Sequence, residues 1–538
     1  MQKLLLLGDE AIAQAAIDAG ISGVYAYPGT PSTEITEYIQ KSKVAKERNI
    51  KSTWSANEKT ALEGALGMSY AGKRALACMK HVGLNVAADP FMNMAITGVN
   101  GGLVILVADD PSMHSSQDEQ DSRYYGKFAL MPTFEPSNQQ EAYDIIRFAF
   151  EYSEKYEIPV LVRVTTRLAH SRSGVQLAPI RDENENSMPK NLRQFILLPA
   201  NARVQYNKLI EKQTSFEKEA EESSFNQFIE GEDKSMGIVA CGIGYNYLLE
   251  NFPNGCPYPI LKISQYPTPR HMVEKLYNSV DKIIVIEDGY PFVEEQIRGV
   301  LDNGKEVLGR LDGTLPRTGE LNPDHVARAF GIDFYEGAPV PEIVKPRPPA
   351  MCVGCSHIDS YNALNEVMEK YGDGRVFSDI GCYTLGALPP FNAINSCVDM
   401  GASITMAKGA ADAGLVPAVA VIGDSTFTHS GMTSLLDAIN DNSPITVLIL
   451  DNSTAGMTGG QTSSAFGKIE QICLGLGVDP EHLHVIRPLK KFHAENVEII
   501  AKEVEYNGLS VIIPTRECIQ TLNRRMRQRF KDKENKSK

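Results

Sequence analysis

The chain has 538 residues, enough for three domains of ordinary size. Its 43% hydrophobic and 22% charged residues describe a globular protein, and a formal net charge of −14 argues against a general nucleic-acid binder. No apolar run approaches the roughly 18 residues of a membrane span. The cysteines number nine, spread over a large chain with no export signal, which predicts a reducing cytoplasm where some of them serve as metal ligands.

Met1 to Leu7 breaks at Gly8-Asp9-Glu10 and reads as a first strand or helix entry rather than a signal peptide. From residue 1 to about 180, apolar runs alternate with amphipathic stretches, the pattern of a doubly wound α/β domain. Ala11 to Gly20 predicts a helix. Gly23 to Ala26 predicts a strand that runs into Tyr27-Pro28-Gly29-Thr30-Pro31-Ser32-Thr33-Glu34, a rigid loop with Ser32 or Thr33 placed to cap the next helix. Ser55-Ala56-Asn57-Glu58-Lys59 precedes a small-residue helix, Thr60 to Ala71, where a Glu near the start suits the helix dipole without further purpose.

Two strands follow, Arg74 to Met79 and Gly102 to Ala108. They end in Lys80-His81-Val82-Gly83-Leu84-Asn85 and in Asp109-Asp110-Pro111-Ser112-Met113-His114-Ser115-Ser116-Gln117. Polar clusters at consecutive strand ends converge on one sheet edge. His81 and His114 are therefore candidate contacts, although a histidine in a loop is usually just solvated, and Arg123 is a candidate bidentate partner for a carboxylate. Pro159 to Thr166 predicts the last strand of this domain. Residues 181–235 turn charged and amide-rich, and the spacing from Asn201 to Glu230 predicts a solvated connecting helix.

A smaller α/β domain occupies 236–335, with strands at Gly237 to Cys241, Pro259 to Lys262 and Lys282 to Glu287; its Gly242-Ile243-Gly244 turn is too short to claim a nucleotide site. Pro-rich residues 317–349 form a linker. In the last domain, 345–520, Met351-Cys352-Val353-Gly354-Cys355-Ser356-His357 permits zinc, with His357 as a ligand, or redox chemistry, or an iron–sulfur cluster. Cys382 in Gly381-Cys382-Tyr383 and Cys518 after the strand Leu509 to Ile513 complete a set of four thiols that fits a [4Fe–4S] cluster; free structural thiols are the alternative. Buried-strand runs at Val416 to Ile422 and Pro444 to Leu450 flank a helix, Met432 to Asn440. That β-α-β unit carries Asp424 and Asn452 at adjacent strand ends, hard oxygen ligands suited to Mg²⁺.

Gly423-Asp424-Ser425 followed by Asn452 resembles the thiamine diphosphate signature. Thr458-Gly459-Gly460-Gln461 resembles the diphosphate loop of 2-oxoacid:ferredoxin oxidoreductases, and Tyr27 to Ser32 resembles their entry motif. The strings KHVGLN and ADDPSMHSSQDEQDSR look specifically like the large (α) subunit of indolepyruvate ferredoxin oxidoreductases, and the resemblance runs to about residue 520.

It implies an α/β, multidomain fold: thiamine diphosphate-binding pyrimidine (1–180) and diphosphate (345–520) domains, each a doubly wound parallel sheet, with a transketolase-C-terminal-like domain between them. It implies Mg²⁺ held by Asp424, Asn452 and Thr454, with Gly381, Cys382, Gly423, Ser425, Thr458 and Gly459 around the cofactor. Cys352, Cys355, Cys382 and Cys518 match the cluster ligands. Glu58 matches the carboxylate that works beside the cofactor's pyrimidine N1′, with Glu63 as competitor, and Thr30 matches the contact to the substrate carboxylate.

The implied reaction is oxidative decarboxylation of aryl 2-oxoacids such as indolepyruvate, with coenzyme A as co-substrate and ferredoxin as acceptor. The implied partners are a small β subunit, in a dimer of heterodimers, and a ferredoxin-like carrier. Two rivals stay open: a non-oxidative decarboxylase, and a catalytically silent binding subunit.

The family usually carries a C-terminal ferredoxin-like module, and no cysteine follows Cys518 here. A basic stretch stands there instead, 521–538, with Arg524, Arg525, Arg527, Arg529, Lys531, Lys533, Lys536 and Lys538. It reads as a frayed basic helix end, or as a dock for an acidic electron carrier.

Overall fold

The computed structural model describes residues 3–300, 304–334, 337, 339–345 and 349–536. The chain divides into two compact units, Met1–Pro339 and Val340–Lys538.

In the first unit the apolar runs pair as a seven-stranded sheet. Its order is Gln265–Tyr266, Thr133–Phe134, Val160–Thr165, Leu103–Asp109, Ala75–Lys80, Gly23–Ala26, Lys51–Trp54. All neighbours are parallel except Gln265–Tyr266, which runs antiparallel along the Thr133–Phe134 edge. Leu103–Asp109 is buried at every position, as a strand covered by helices on both faces must be. Lys3–Leu7 is a strand and pairs with Arg172–Gln176.

A second, five-stranded sheet is built on Gly237–Cys241, flanked by Ile260–Ile263 and Ile283–Ile286. The edge strand Gln265–Tyr266 crosses from this part of the chain to the first sheet, and so joins the two sheets in one unit.

The charged stretch 181–235 differs from a solvated helix. The helix spans Pro199–Glu221 and buries Leu209 and Phe216, with the Phe216 ring edge-on to Tyr156 at 5.4 Å between centroids. Gln227–Ile229 is a strand on the edge of the smaller sheet. Two apolar side chains per few turns suffice to dock a helix whose other faces are polar.

The second unit is a five-stranded, wholly parallel sheet in the order Val376–Ser378, Ala418–Gly423, Ile445–Leu450, Ser510–Pro514, Leu483–Ile486. Strand side chains alternate between faces. Ala418, Ala420 and Ile422 pack into one hydrophobic core, and Val419 and Val421 into another on the opposite face. Both cores are covered by helices, which leaves the carboxyl ends of the strands as the place for polar loops. No helix among the described residues is long and apolar enough to cross a membrane.

Candidate active site

In the second unit the polar loops gather where Ala418–Gly423 and Ile445–Leu450 end. Asp424 follows the first strand directly and is buried. A side chain at Gly423 would meet the Tyr383 ring at 2.5 Å, so only glycine lets the strand end lie against that ring. After Thr426 the chain widens into one π-type turn, Phe427–Gly431, before the regular helix Met432–Asn440. Such turns cluster at functional sites.

Asp424 Oδ2 is buried without a hydrogen-bond partner. Burial pushes its carboxyl up to about 7, and the neighbouring Asp451 pushes the same way, against the Ser425 amide and the Ser463 hydroxyl. A buried carboxylate beside a second carboxylate with one orphaned oxygen fits a divalent cation.

Asn452 Oδ1 accepts from the Thr454 amide at 3.1 Å, and its Nδ2 donates to His357 Nε2 at 3.2 Å. Burial pushes His357 down to about 4, which keeps the imidazole neutral and able to accept. His357 thus orients Asn452 rather than serving a zinc ion. The diphosphate-loop candidates close on themselves: Thr454 Oγ1 donates to the Gln461 carbonyl at 2.8 Å, and Thr458 Oγ1 to Gln461 Oε1 at 2.7 Å.

The basic stretch is helical, Ile519–Lys536. Arg524 Nη1 donates to the Gly459 carbonyl at 2.6 Å, and Arg525 Nη2 to Glu517 at 2.7 Å. Both arginines are exposed and also bond within their own fold. Lys538 lies outside the described residues, as do the side chains of Arg529, Lys531, Lys533 and Lys536.

The four cysteines singled out by spacing are brought together. Burial pushes the Cys382 thiol up to about 12, with Cys355, Cys518, Cys352 and Asp424 adding to it in that order. The Cys518 amide donates to the Asn452 carbonyl at 3.1 Å, and a side chain on Gly456 would come within 3.1 Å of the Cys382 sulfur. The four thiols and the Asp424–Asn452 pair therefore share one loop system. Among the described residues, no three of these sulfurs and the His357 nitrogens lie within 4.8 Å of one another. A single tetrahedral zinc, with Zn–S of about 2.3 Å, needs sulfurs about 3.8 Å apart.

The turn that presents Cys382 hangs from a residue the sequence reading did not select. Buried Asp379 bonds the Tyr383 hydroxyl and accepts from Ser403 Oγ at 2.6 Å, while Thr426 Oγ1 donates to the Ile380 carbonyl at 3.1 Å. Only its place at the end of the strand Val376–Ser378 could have marked it.

In the first unit, Glu58 is the first residue of the helix Glu58–Tyr70, capped by Asn57, whose Oδ1 accepts from Thr60 at 2.9 Å. Its carboxyl is buried, and a side chain at Gly83 would come within 2.5 Å of Oε1. Glu63 is exposed and ion-paired with Lys59. Lys80 was passed over by the sequence reading. Burial pulls its ammonium down while Asp110, Glu58 and Asp118 raise it, and it donates to the Ser115 carbonyl at 2.9 Å.

Ser115 Oγ donates to the Thr30 carbonyl at 3.3 Å, so Thr30, Lys80 and Glu58 share one edge. Ser32 and Thr33 do not cap their helix: Ser32 Oγ donates to the Gly29 carbonyl at 2.8 Å, and Thr33 Oγ1 accepts from the Gly29 amide at 3.1 Å. Both hydroxyls rigidify the entry loop. His81 is buried with Nε2 3.2 Å from the Asp118 carbonyl, and Nδ1 is without a partner. His114 is half exposed and faces Glu320 at 3.3 Å.

Arg123 is corrected most sharply. It is fully buried, and its Nε donates to Asp121 Oδ1 and its Nη1 to Glu287 Oε2, each at 2.9 Å. Arg163 neutralises the same group through Asp109 and Glu135. The guanidinium finds its bidentate carboxylate inside the protein and joins the two sheets of the unit, leaving nothing for a substrate.

A parallel-sheet unit with an Asp–Asn pair at its strand ends, and a second unit with a buried helix-start glutamate, are the two parts that characterise the thiamine diphosphate-dependent 2-oxoacid oxidoreductases as a class. Residues 14–236 match the family model "Pyruvate flavodoxin/ferredoxin oxidoreductase, thiamine diP-bdg", and 379–502 match "Thiamine pyrophosphate enzyme, C-terminal TPP binding domain". The chain is 39% identical to the indolepyruvate oxidoreductase subunit IorA of Archaeoglobus fulgidus, over 98% of this chain and 89% of that one. It is 38% identical to the subunit of the same name from Methanothermobacter thermautotrophicus, over 96% and 87%.

The chain belongs to this family, the indolepyruvate oxidoreductase IorA subunits. Among solved structures, a 2-oxoglutarate:ferredoxin oxidoreductase from Magnetococcus marinus superposes with a TM-score of 0.50 at 15% identity. The match covers 61% of this chain and 65% of that one, a likeness of fold.

Proposed function

We propose that the chain is the catalytic subunit of an enzyme that oxidatively decarboxylates aryl 2-oxoacids of the indolepyruvate kind to acyl-CoA and passes the electrons to a ferredoxin. The observation that carries this reading is the buried, orphaned Asp424 oxygen beside four convergent cysteines.

Asp424 and Asn452 by side chain, and Thr454 by its carbonyl, would hold Mg²⁺ against the diphosphate, with the amides of 458–460 as further donors. Thiamine diphosphate, when bound, supplies the electron sink that decarboxylation of a 2-oxoacid needs. Glu58 would be the carboxylate that works beside the pyrimidine N1′, and Gly83 leaves room for its carboxyl. Cys352, Cys355, Cys382 and Cys518 would hold a [4Fe–4S] cluster, a one-electron acceptor. Within this reading, 1–180, 236–335 and 345–520 are the pyrimidine, transketolase-C-terminal-like and diphosphate domains, and a small subunit completes the enzyme.

Support for the aryl substrate comes from a cavity of about 430 Å³ in the first unit, where Tyr124, Tyr125 and Tyr290 line the wall together with Arg317, Asp121 and Glu295. Three aromatic rings in one wall suit an aryl group. The deciding experiment is an iron and sulfide count on anaerobically purified protein. About four iron atoms per chain are expected, with a brown chromophore bleached by an aryl 2-oxoacid plus coenzyme A. No iron would leave a non-oxidative decarboxylase.

A further inference from the structure

Three elements of the first unit bring Asp9, Glu34 and His170 to one point. Asp9 is the second residue of the helix Gly8–Asp18, Glu34 the second of Thr33–Lys41, and His170 the last of Thr166–His170. One ligand atom from each lies within 4.8 Å of the others, and His170 Nε2 is 3.7 Å from Glu34 Oε2. The Gly8 amide donates to the Ser171 carbonyl at 3.1 Å, which fixes the start of the first helix beside the segment that carries His170.

What sets the group apart from an ordinary acidic cluster is Asp9. It is 0% exposed, and neither of its carboxylate oxygens meets an N–H or O–H donor of the protein; its polar neighbour is the Glu34 carboxyl, whose own buried Oε2 has only the His170 ring at 3.7 Å. The other charged neighbours do not relieve it, since Glu10 bears on Asp9 and Asp110 on His170. Burying an unpartnered carboxylate against a second one is costly unless a cation or a shared proton neutralises the pair. Two carboxylate oxygens and one imidazole nitrogen make a three-point donor set of mixed hardness. Glu34 and His170 are each more than a third exposed, which leaves a path in and room for water on the open side.

We propose that Asp9, Glu34 and His170 bind a divalent transition-metal ion of the Mn²⁺, Fe²⁺ or Zn²⁺ kind. The imidazole nitrogen favours these over Ca²⁺, which takes six to eight oxygens. The ion bridges the first two helices of the unit and the segment after the strand Val160–Thr165, so its role is to lock that face.

The test uses the full chain, stripped of metal and of thiamine diphosphate, titrated with Mn²⁺ and followed by electron paramagnetic resonance. Asp424→Asn serves as background so that the diphosphate site cannot contribute. One Mn²⁺ per chain should bind, with nitrogen hyperfine coupling from an imidazole. His170→Gln should remove the coupling and weaken binding at least about tenfold, and Asp9→Asn should abolish binding. Thermal melts establish that each variant folds, and the half-exposed His170 carries the test if Asp9→Asn does not. Three results would overturn the proposal: no Mn²⁺ bound, Mn²⁺ bound without nitrogen coupling, or coupling that survives His170→Gln. Each would leave a proton shared between Asp9 and Glu34 as the neutralising device.

Discussion

Asp424→Asn separates what Asp424 costs the fold from what it gives the site. In the metal-free protein, burial first and Asp451 second raise its carboxyl from an ordinary 3.8 to about 7. The folded value lies above the unfolded one, so the group's contribution is fully present below about pH 4 and is lost as pH climbs through about 7. The difference corresponds to about 4 kcal/mol, which the metal-free wild type gives up between those limits. Asparagine has nearly the same shape and no charge to bury.

Metal-free wild type and Asp424→Asn should therefore melt together near pH 4. At pH 8 the variant should be ahead by up to about 4 kcal/mol, or roughly 10 °C for a unit of this size. Adding Mg²⁺ and thiamine diphosphate reverses the order: at about a thousandfold excess over Kd the wild type gains about 4 kcal/mol, and the variant gains little. Scanning calorimetry from pH 4 to 8, with and without cofactor, reads both effects. Parallel pH profiles for the two metal-free proteins, or equal stabilisation by the cofactor, would refute the account of Asp424 as a carboxylate held ready for a cation.

Gly83→Ala should push the Glu58 carboxyl aside, because the new methyl would stand 2.5 Å from Oε1. Turnover is expected to fall about tenfold or more, while cofactor affinity by calorimetry changes by no more than a few-fold; full turnover would free Glu58 of its role. Arg123→Ala strands Asp121 and Glu287 without their guanidinium and should cost about 3–5 kcal/mol of stability. A higher KM at unchanged stability would instead return Arg123 to the substrate. Arg524→Ala removes one exposed, charge-assisted bond to the Gly459 carbonyl. Discounted for solvent screening, the loss is about 1 kcal/mol, or roughly fivefold in thiamine diphosphate affinity, with Arg524→Lys in between; identical affinities would show that the helix does not brace the loop.

The strands were legible because a parallel strand buried on both faces is an unbroken apolar run. Val416 to Ile422 and Pro444 to Leu450 announce Ala418–Gly423 and Ile445–Leu450 almost residue for residue. Asp424 and Asn452 were legible as candidates because the ends of such strands are where polar residues can stand. Partners were harder to read than positions. Arg123 looks like a substrate ligand in the string that contains it, and only the fold reveals Glu287, far along the chain, on its other side. His357 sits next to Cys355 and invites a zinc reading, yet its ring turns to Asn452. Glu58 and Glu63 lie five positions apart on one helix. A helix turns about 100° per residue, and the register that buries Glu58 exposes Glu63 to solvent beside Lys59.

Buried charge takes two forms in this chain, and the contrast locates its chemistry better than composition does. Arg123 and Arg163 lie among Asp109, Asp121, Glu135 and Glu287 with every guanidinium answered by carboxylates, and the Asp121 carboxyl is drawn down to about 2. Such a network answers its own cations, with Asp109 Oδ1 as its one unbonded oxygen among these four carboxylates, so its work is to hold two sheets together. Asp424 is buried as deeply, yet keeps an oxygen that nothing in its unit answers. A carboxylate left in that condition weakens the fold at neutral pH. It is tolerated where an incoming cation repays the cost, and that asymmetry supports a ligand site at the strand ends of the second unit over one in the arginine-rich seam of the first.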